Sequence, residues 1–488
     1  MSSAADARTP RAPGDKVNVA ALMTALLAAC VAFQLNASML SPALVIMGQE
    51  LQVDQSVIGL SQTWFFTAAA LFSLFLPRLS DIVGRKRVLI GMMALMGIGS
   101  LIAALSPNVG WLFVGRIIQA VSGPTVPLCL IMLRSAVPDA KRYGVLMGLI
   151  TAVNGGIAGI DSFIGGYLAE NHGFRSIFWL MTALAVVVTL LVVFLALESR
   201  PSAGATMDWA GVVCVVVAVG ALLTALNEAP ALLTEFESGT FVLSLALLLL
   251  AVLAFIAFWR IESRSAQPLV ETDQMRQRTL WAPLLTTTLT MTGLFAFINQ
   301  LVPAFAQAAP PGFGLSATHM ALLILTPYAV LGWVVGPFSG KLAPVMGYTR
   351  VLKLGYVGSL VALAVLTFLG LHNLWLMVLG AVLLGISYAG TVNIMLNGLG
   401  VLLSPAGKPG FLPGMNAGAF NIGAGLSFLV LPAVLIAAGG EDGGVGTYTV
   451  TGIVAIAITA CAFAASLLIP KPADAEVDDA QTVPAGGH

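Results

Sequence analysis

The chain is 488 residues long, 58% hydrophobic and only 9% charged, with a formal net charge of zero and a mean hydropathy of +0.96. Soluble chains carry roughly 25% charged residues because a water-facing surface needs them, so the solvent of this chain is lipid and its length is no guide to soluble domains. Zero net charge excludes a basic surface for nucleic acid. The cysteines (Cys30, Cys129, Cys214, Cys461) lie singly inside apolar runs, which excludes a disulfide framework or a zinc site and leaves them as packing residues.

Fourteen apolar runs follow in order, over residues 17–47, 56–77, 88–105, 109–134, 142–168, 175–197, 209–228, 239–259, 279–307, 317–346, 349–370, 372–403, 409–438 and 445–470. Each is continuous and reaches the roughly 18 residues of a membrane-crossing helix, whereas barrel strands would alternate over about ten. In lipid a helix also closes its own backbone hydrogen bonds. The expected fold is all-α and polytopic. Residues 1–16 are polar and precede a run too long for a signal peptide, so they read as a tail.

Every Lys and Arg except Arg116 and Arg175 falls in the termini or in even-numbered loops. Odd-numbered loops carry acids and turn residues, among them Glu50, Asp54, Glu170, Glu235, Glu441 and Asp442. This alternation follows the positive-inside rule and predicts a multi-pass cell-membrane protein with both termini cytoplasmic. The longest hydrophilic stretch between runs, Arg260 to Arg278, comes after eight of them. A short repeat, Pro77-Arg-Leu-Ser-Asp-Ile-Val-Gly84 and Gly340-Lys-Leu-Ala-Pro-Val-Met-Gly347, follows the second run of each six-run block, where a duplicated unit would place it. The expected division is a tail over 1–16, six helices over 17–198, two inserted helices over 199–261, a cytoplasmic linker over 262–278, six helices over 279–470 and an acidic tail over 471–488.

The segment Ser80-Asp81-Ile82-Val83-Gly84-Arg85-Lys86-Arg87 sets a carboxylate and a cationic cluster around a glycine turn. Such groups can pair with helix ends and form a two-state gate; the alternative is a positive loop that only orients the chain. The segment resembles the loop Gly-x-x-x-Asp-x-x-Gly-Arg-Lys/Arg of the major facilitator superfamily, and specifically of its fourteen-span drug:proton antiporters. Asp81, Gly84, Arg85 and Lys86 match, while Pro77 stands where the family has Gly. Arg116-Ile-Ile-Gln119 resembles the family's Arg-x-x-Gln-Gly, with Ala120 in place of the Gly, and Pro138-Asp-Ala-Lys-Arg142 with Gly144 is similar to its loop before the fifth span. The resemblance covers residues 17–470. It implies a major-facilitator fold of two six-helix bundles plus two extra helices, working as a monomer by alternating access. It also implies a small organic substrate, protons as the coupling ion and no cofactor.

Two departures from the family qualify this. Its fifth span carries Gly-Pro-x-x-Gly-Gly, and here Asp161-Ser162 precedes Gly165 and Gly166, which keep the helix-packing pair. Its first span bears an acid, and here the first run offers only Gln34 and Asn36. A carboxylate at a helix centre costs roughly 2.5–3.5 kcal/mol by insertion scales, so Asp161 is expected to face other helices or a cavity, on one stripe with Thr151 and Asn154. Arg116 lies at a similar depth. The two are candidates for proton coupling, as a pair that binds and releases a proton or as an ionised pair that staples helices. Gln34, Asn36, Gln62, Trp64, Gln119, Asn154, Asn299, Tyr388 and Asn393 are candidates for a substrate path, with Gln300, Asn397, Asn416 and Asn421 beside them. Amides also bind membrane helices to one another, and that reading stays open for each. Arg175 reads as a helix entry paired with Glu170 or with lipid headgroups.

The chain has no Gly-Lys-Ser/Thr phosphate loop, no metal-spaced His/Cys/Asp cluster and no Ser/His/Asp set in a water-exposed domain. It is therefore expected not to be an enzyme. The resemblance implies proton-coupled export of amphipathic organic compounds, as in drug or antibiotic efflux. Both positions tied to antiport are altered, so the alternative is a facilitator or importer of a small organic solute without proton antiport. A non-transporting sensor would need a soluble signalling segment, and no loop is long enough for one.

Overall fold

In the computed structural model, residues 18–137, 139–198, 206–234, 238–265, 276–404, 411–440 and 444–471 are described. The expected tails (Lys471 apart) and residues 266–275 of the expected linker lie outside them, as does the side chain of Asn154. All regular structure among the described residues is helical. Fourteen helices follow in order: α1 (Val19–Leu51), α2 (Gln55–Val83), α3 (Arg85–Ala104), α4 (Val109–Ala136), α5 (Ala140–His172), α6 (Arg175–Leu195), α7 (Trp209–Thr234), α8 (Ser238–Glu262), α9 (Arg278–Gln307), α10 (Ala317–Met346), α11 (Tyr348–His372), α12 (Leu374–Leu402), α13 (Phe411–Ala437) and α14 (Val445–Ser466). Among the described residues, thirteen of these helices are long and apolar enough to cross a membrane. Helix α5 completes the set with 33 residues, about 50 Å at 1.5 Å per residue.

Turn chemistry explains the helix boundaries. Neither Pro77 nor Pro344 ends its helix. The breaks fall at Gly84 (φ 114°, ψ 130°) and Gly347 (φ 89°, ψ 131°), and α3 and α11 start at the next residue. Only glycine adopts that backbone cheaply, so the repeat read in the sequence is also a repeat of backbone geometry. Asn108 and Asn373 likewise cap α4 and α12 through their side chains, each satisfying amides that the first turn leaves free.

Packing repeats as well. Among the first six helices, α1 packs on α4, α5 and α6, α2 on α4, and α3 on α4 and α6. Among the last six, α9 packs on α13 and α14, α10 on α12, and α11 on α12 and α14. Helices α7 and α8 pair with each other, and α7 rests against α2 and α13. The lipid-suited face of α8 exposes Phe241, Leu245, Leu249, Leu253 and Phe255. Small residues permit close approach where apolar association brings no gain in lipid. Between α3 and α4, for example, a methyl at Gly99 would lie 2.6 Å from the Gly115 carbonyl oxygen.

The two sets of six meet along α2–α13, α5–α10 and α1–α9. One apolar core runs through the rear set and reaches across to Ala37, Phe65, Phe66, Ala68, Ala69 and Ala120 of the front set. Two further cores fill the front set alone, one towards the face that carries Arg85 and Arg134 and one towards the face that carries Glu50 and Glu170. These are called the basic and the acidic face below.

Candidate functional site

Among the described residues, Arg116 is the largest fully buried side chain. Its Nη1 donates to the carbonyl oxygen of Asn36 (3.3 Å), to Asn36 Oδ1 (3.2 Å) and to Gln119 Oε1 (2.8 Å). Its Nη2 donates to Gln62 Oε1, and the guanidinium carbon sits 4.1 Å from the centre of the Phe65 ring. Five N–H donors in a planar fork suit such a cage of oxygens and a π-face. The cage extends further: Gln119 Nε2 donates to Ser100 Oγ (2.7 Å), and Asn36 Nδ2 donates to Ser122 Oγ (3.3 Å). One cation thus ties α1, α2, α3 and α4 together through neutral oxygens.

Asp161, also fully buried, belongs to a separate circuit. Its Oδ2 accepts from Ser38 Oγ and its Oδ1 from Ser162 Oγ (3.2 Å). Gln34 Nε2 donates to Ser38 Oγ at 2.9 Å, and that hydroxyl lies 2.9 Å from the Gln34 carbonyl. The pairing of Arg116 with Asp161 that their similar depth left open is absent, because α1 stands between them. Asn36 and Ser38, two residues apart and so turned roughly 200° around the helix, serve α4 on one side and α5 on the other. Similar depth did not bring the two faces together.

Polar and aromatic groups line the seam between the sets. Asn299 and Gln300 lie on a π-helical turn of α9, Phe297–Leu301, a wide-turn geometry often found at functional positions. Asn299 Nδ2 donates to the Phe295 carbonyl (2.9 Å), and its Oδ1 lies 3.5 Å from Ser41 Oγ of α1. The Gln300 amide fills the space left by the missing side chain of Gly59 in α2. About two turns further along α2, Phe66 meets Phe295 edge-on (5.2 Å) and stacks parallel to Phe428 of α13 (5.8 Å). Asn421 Nδ2 donates to Ser73 Oγ at 3.3 Å. Buried polar atoms without a partner along this seam include Gln62 Nε2, Thr67 Oγ1, Gln300 Oε1 and Asn421 Oδ1. Each such atom costs about 1–3 kcal/mol, so the seam gains hydrogen bonds when water or a polar solute enters it.

The remaining candidates disperse. Trp64 is half-buried and turned away from the Gln62 side of α2. The Tyr388 hydroxyl, on the π-helical turn Gly385–Val392, reaches Met291 Sδ at 3.4 Å. Asn393 Oδ1 accepts from Asn397 (3.2 Å), Asn397 Oδ1 from Asn416 (3.3 Å) and Asn416 Oδ1 from Thr287 (2.6 Å). That chain joins α12, α13 and α9 and acts as interhelical glue. Gly165 lets α5 press on the backbone of Met39 in α1, while Gly166 faces the Ala317 carbonyl of α10, 2.8 Å from where a Cβ would stand. The glycine pair therefore packs once within the front set and once across the seam.

Each face carries ion-pair chemistry. On the basic face Asp81 Oδ1 bonds Arg85 Nη2 (3.1 Å) across Gly84. The motif expected in a loop is instead the last turn of α2 and the first turn of α3, where cations oppose the helix dipole. Glu198, beyond the end of α6, offsets this: it accepts from the Lys86 amide (3.2 Å) and pairs with Arg87 (3.6 Å). Sequence reading missed Glu198, although an acid in an otherwise basic loop was a signal. On the acidic face Arg175 pairs with Glu50 (3.4 Å) and donates to the Ser106 carbonyl (2.9 Å), not with Glu170 as expected. Glu170 instead accepts from the Thr318 amide (3.0 Å) at the start of α10.

The chain is 48% identical, over 96% of its length and 98% of the relative's, to a uridine/deoxyuridine transporter of Lactococcus lactis subsp. cremoris (strain MG1363). It is 26% identical, over 75% of its length and 67% of the relative's, to the multidrug resistance protein Stp of Mycobacterium tuberculosis (strain CDC 1551 / Oshkosh). Its fold is similar to that of the human organic anion transporter MFSD10 (TM-score 0.62, 15% identity, covering 93% of this chain and 100% of that one). It is also similar to that of the nucleoside transporter NupG (TM-score 0.59, 14% identity, covering 92% and 100%). The model of the Major Facilitator Superfamily matches residues 26–428. With its helical architecture and no enzyme chemistry in its family, the chain belongs to the Major Facilitator Superfamily and is a secondary transporter of small organic solutes.

Proposed function

We propose that this transporter carries pyrimidine nucleosides into the cell by alternating access between residues 17–198 and residues 279–470. Residues 199–261 form an inserted helix pair in this reading, and 262–278 the linker. The observation that carries it is the 48% identity, across nearly the whole of both chains, to the uridine/deoxyuridine transporter. The seam supports it chemically. Its unpaired atoms include amides and a hydroxyl beside a phenylalanine cluster, which suits a flat, polar, uncharged solute. Export of amphipathic drugs, the reading favoured by the motif resemblance, has the weaker support of a multidrug relative at 26% identity.

The basic face is taken as cytoplasmic, with both termini there and the protein in the cell membrane, a reading that the charge alternation supports. Contacts at Gly166–Ala317, Glu170–Thr318 and Ser41–Asn299 then close the outer side. Asp81 and Arg85 form the gate on the inner side. Asp161 is the residue that takes up a proton if transport is proton-coupled, and Arg116 is a fixed charge that organises the front set. Uptake of labelled uridine by a host lacking its own nucleoside uptake tests the proposal, with and without a collapsed proton gradient. Accumulation competed by unlabelled deoxyuridine is expected. No uptake, together with new resistance to amphipathic drugs, would restore the export reading.

A further inference from the structure

We infer that Gln62 and Gln300 together read the imide edge of a pyrimidine base, Gln62 donating to a ring carbonyl and Gln300 accepting from the ring N–H. The inference rests on the nucleoside reading above and adds the atoms that choose among nucleosides. An amide side chain can present either its oxygen or its nitrogen, and ordinarily nothing fixes which. At Gln62 the choice is fixed. Arg116 has only N–H groups to offer, so the Gln62 oxygen must face it. The Gln62 NH2 is left buried, a donor with no acceptor. Arg116 is in this sense a positioning residue: it holds the amide that meets the solute.

Gln300 supplies the complementary group from the other set of helices. Its amide lies against Gly59, one helical turn from Gln62 on α2, with Nε2 2.6 Å and Oε1 3.4 Å from where a Cβ would stand. Its Oε1 is buried with no donor, and because no neighbour fixes this amide it can turn its oxygen to a ring N–H. A donor from the front set and an acceptor from the rear set, within a turn of each other, match a cyclic imide, whose carbonyl and N–H are adjacent. In that register, with Gln62 opposite a ring carbonyl and Gln300 opposite N3, a cytosine edge is mismatched, because its N3 is itself an acceptor. The phenylalanine rings at 66, 295 and 428 offer the base an apolar surface one turn away. Because the two amides belong to different sets of helices, a bound imide would bridge the seam.

Competition against labelled uridine by the wild-type protein tests this directly. Uridine and deoxyuridine should compete alike, since both keep the imide edge. 3-Methyluridine, which has lost the N–H, and cytidine, whose N3 is an acceptor, should each compete about tenfold or more weakly, because a buried group left unpaired rejects the analogue. Gln62→Glu keeps a partner for Arg116 but offers acceptors only. It should lose uridine affinity by about tenfold or more, seen as a rise in KM with expression and thermal stability held. Equal competition by 3-methyluridine overturns the inference, and so does an unchanged uridine KM in Gln62→Glu. If that variant fails to reach the membrane, the analogue series on the wild-type protein decides alone. A wild type that takes up no nucleoside at all overturns the proposed function itself, a result distinct from uridine uptake indifferent to the imide.

Discussion

The front and rear sets of helices repeat the same packing but solve their polar interiors differently. Among the described residues, helices α1–α6 bury one cation and one carboxyl group, each inside its own circuit of oxygens and hydroxyls. Among the described residues, α9–α14 bury no charged side chain and rely on Asn, Gln, Thr and Tyr. The backbones differ to match. Four π-helical turns interrupt α9, α10, α11 and α12, whereas the front set shows only 3-10 turns, at Ser41–Ala43 and Ala120–Ser122. A buried charge is stable only with its acceptors held in place, so it favours regular, rigid neighbours. Neutral amides tolerate rearrangement, and a π turn leaves a helix locally wide and adjustable. In this pair of repeats, the charged half is the frame and the neutral half is the part free to adapt.

The strongest way to break that comparison is to remove the cation. Arg116→Ala would leave oxygens of Gln62, Gln119 and Asn36 facing a void, and truncating a buried charge that has such partners costs about 3–5 kcal/mol. Loss of protein from the membrane or a large fall in Tm is expected. Wild-type thermal stability in that variant would show that the front set is not organised around Arg116. Asp161→Asn should be gentler on the fold, because the amide oxygen still accepts from Ser38. It should leave uridine binding intact and abolish the dependence of accumulation on a proton gradient. Gradient-driven uptake at the wild-type rate would remove Asp161 from the mechanism.

How much of this was legible in the sequence depended on whether a feature is local. Span count, the Gly84 and Gly347 breaks and the caps at Asn108 and Asn373 follow from residues next to one another in the chain. Burial of Arg116 and Asp161 was legible too, because charge inside an apolar run has nowhere else to go. Their separation was not. It depends on how Asn36 and Ser38 are divided between neighbours of α1, and depth along a helix says nothing about azimuth. Arg175 went to Glu50 for a similar reason: the last turn of α1 comes back to the start of α6, and no spacing encodes that return. The Phe66–Phe295–Phe428 cluster was hidden because phenylalanine in an apolar run looks the same at a seam as against lipid.

The rear set should respond far less to loss of one polar group. Asn416→Ala cuts the chain from Asn397 to Thr287, and single interhelical amide contacts in membranes are worth roughly 0.6–2 kcal/mol. A Tm shift of a few degrees with transport retained is expected, because Asn393 and Asn397 still bond each other. A collapse as severe as that of Arg116→Ala would erase the distinction between frame and adaptable half.

The smallest effect is expected where the two halves touch at the acidic face. The amide of Thr318 donates to Glu170, and the Thr318 side chain first, with this amide, Ser316 and His319 adding to it against the opposing effect of partial burial, holds the Glu170 carboxyl below the usual range for a glutamate. A depressed carboxyl stabilises the state that depresses it, here the closed contact between α5 and α10. That stabilisation is complete above the ordinary glutamate value, about 4.3, and is lost as pH falls through the lowered one. Glu170 is exposed, so solvent screens much of the interaction. Hydrogen exchange at the Thr318 amide reads it out: protection should be constant near neutral pH and fall on acidification, beyond the intrinsic pH dependence of exchange. In Glu170→Gln the protection should be weaker at neutral pH and no longer respond to acid. Protection that tracks pH identically in both proteins would mean that close packing at Gly166 and Ala317 holds this face shut, and that the carboxylate adds nothing to it.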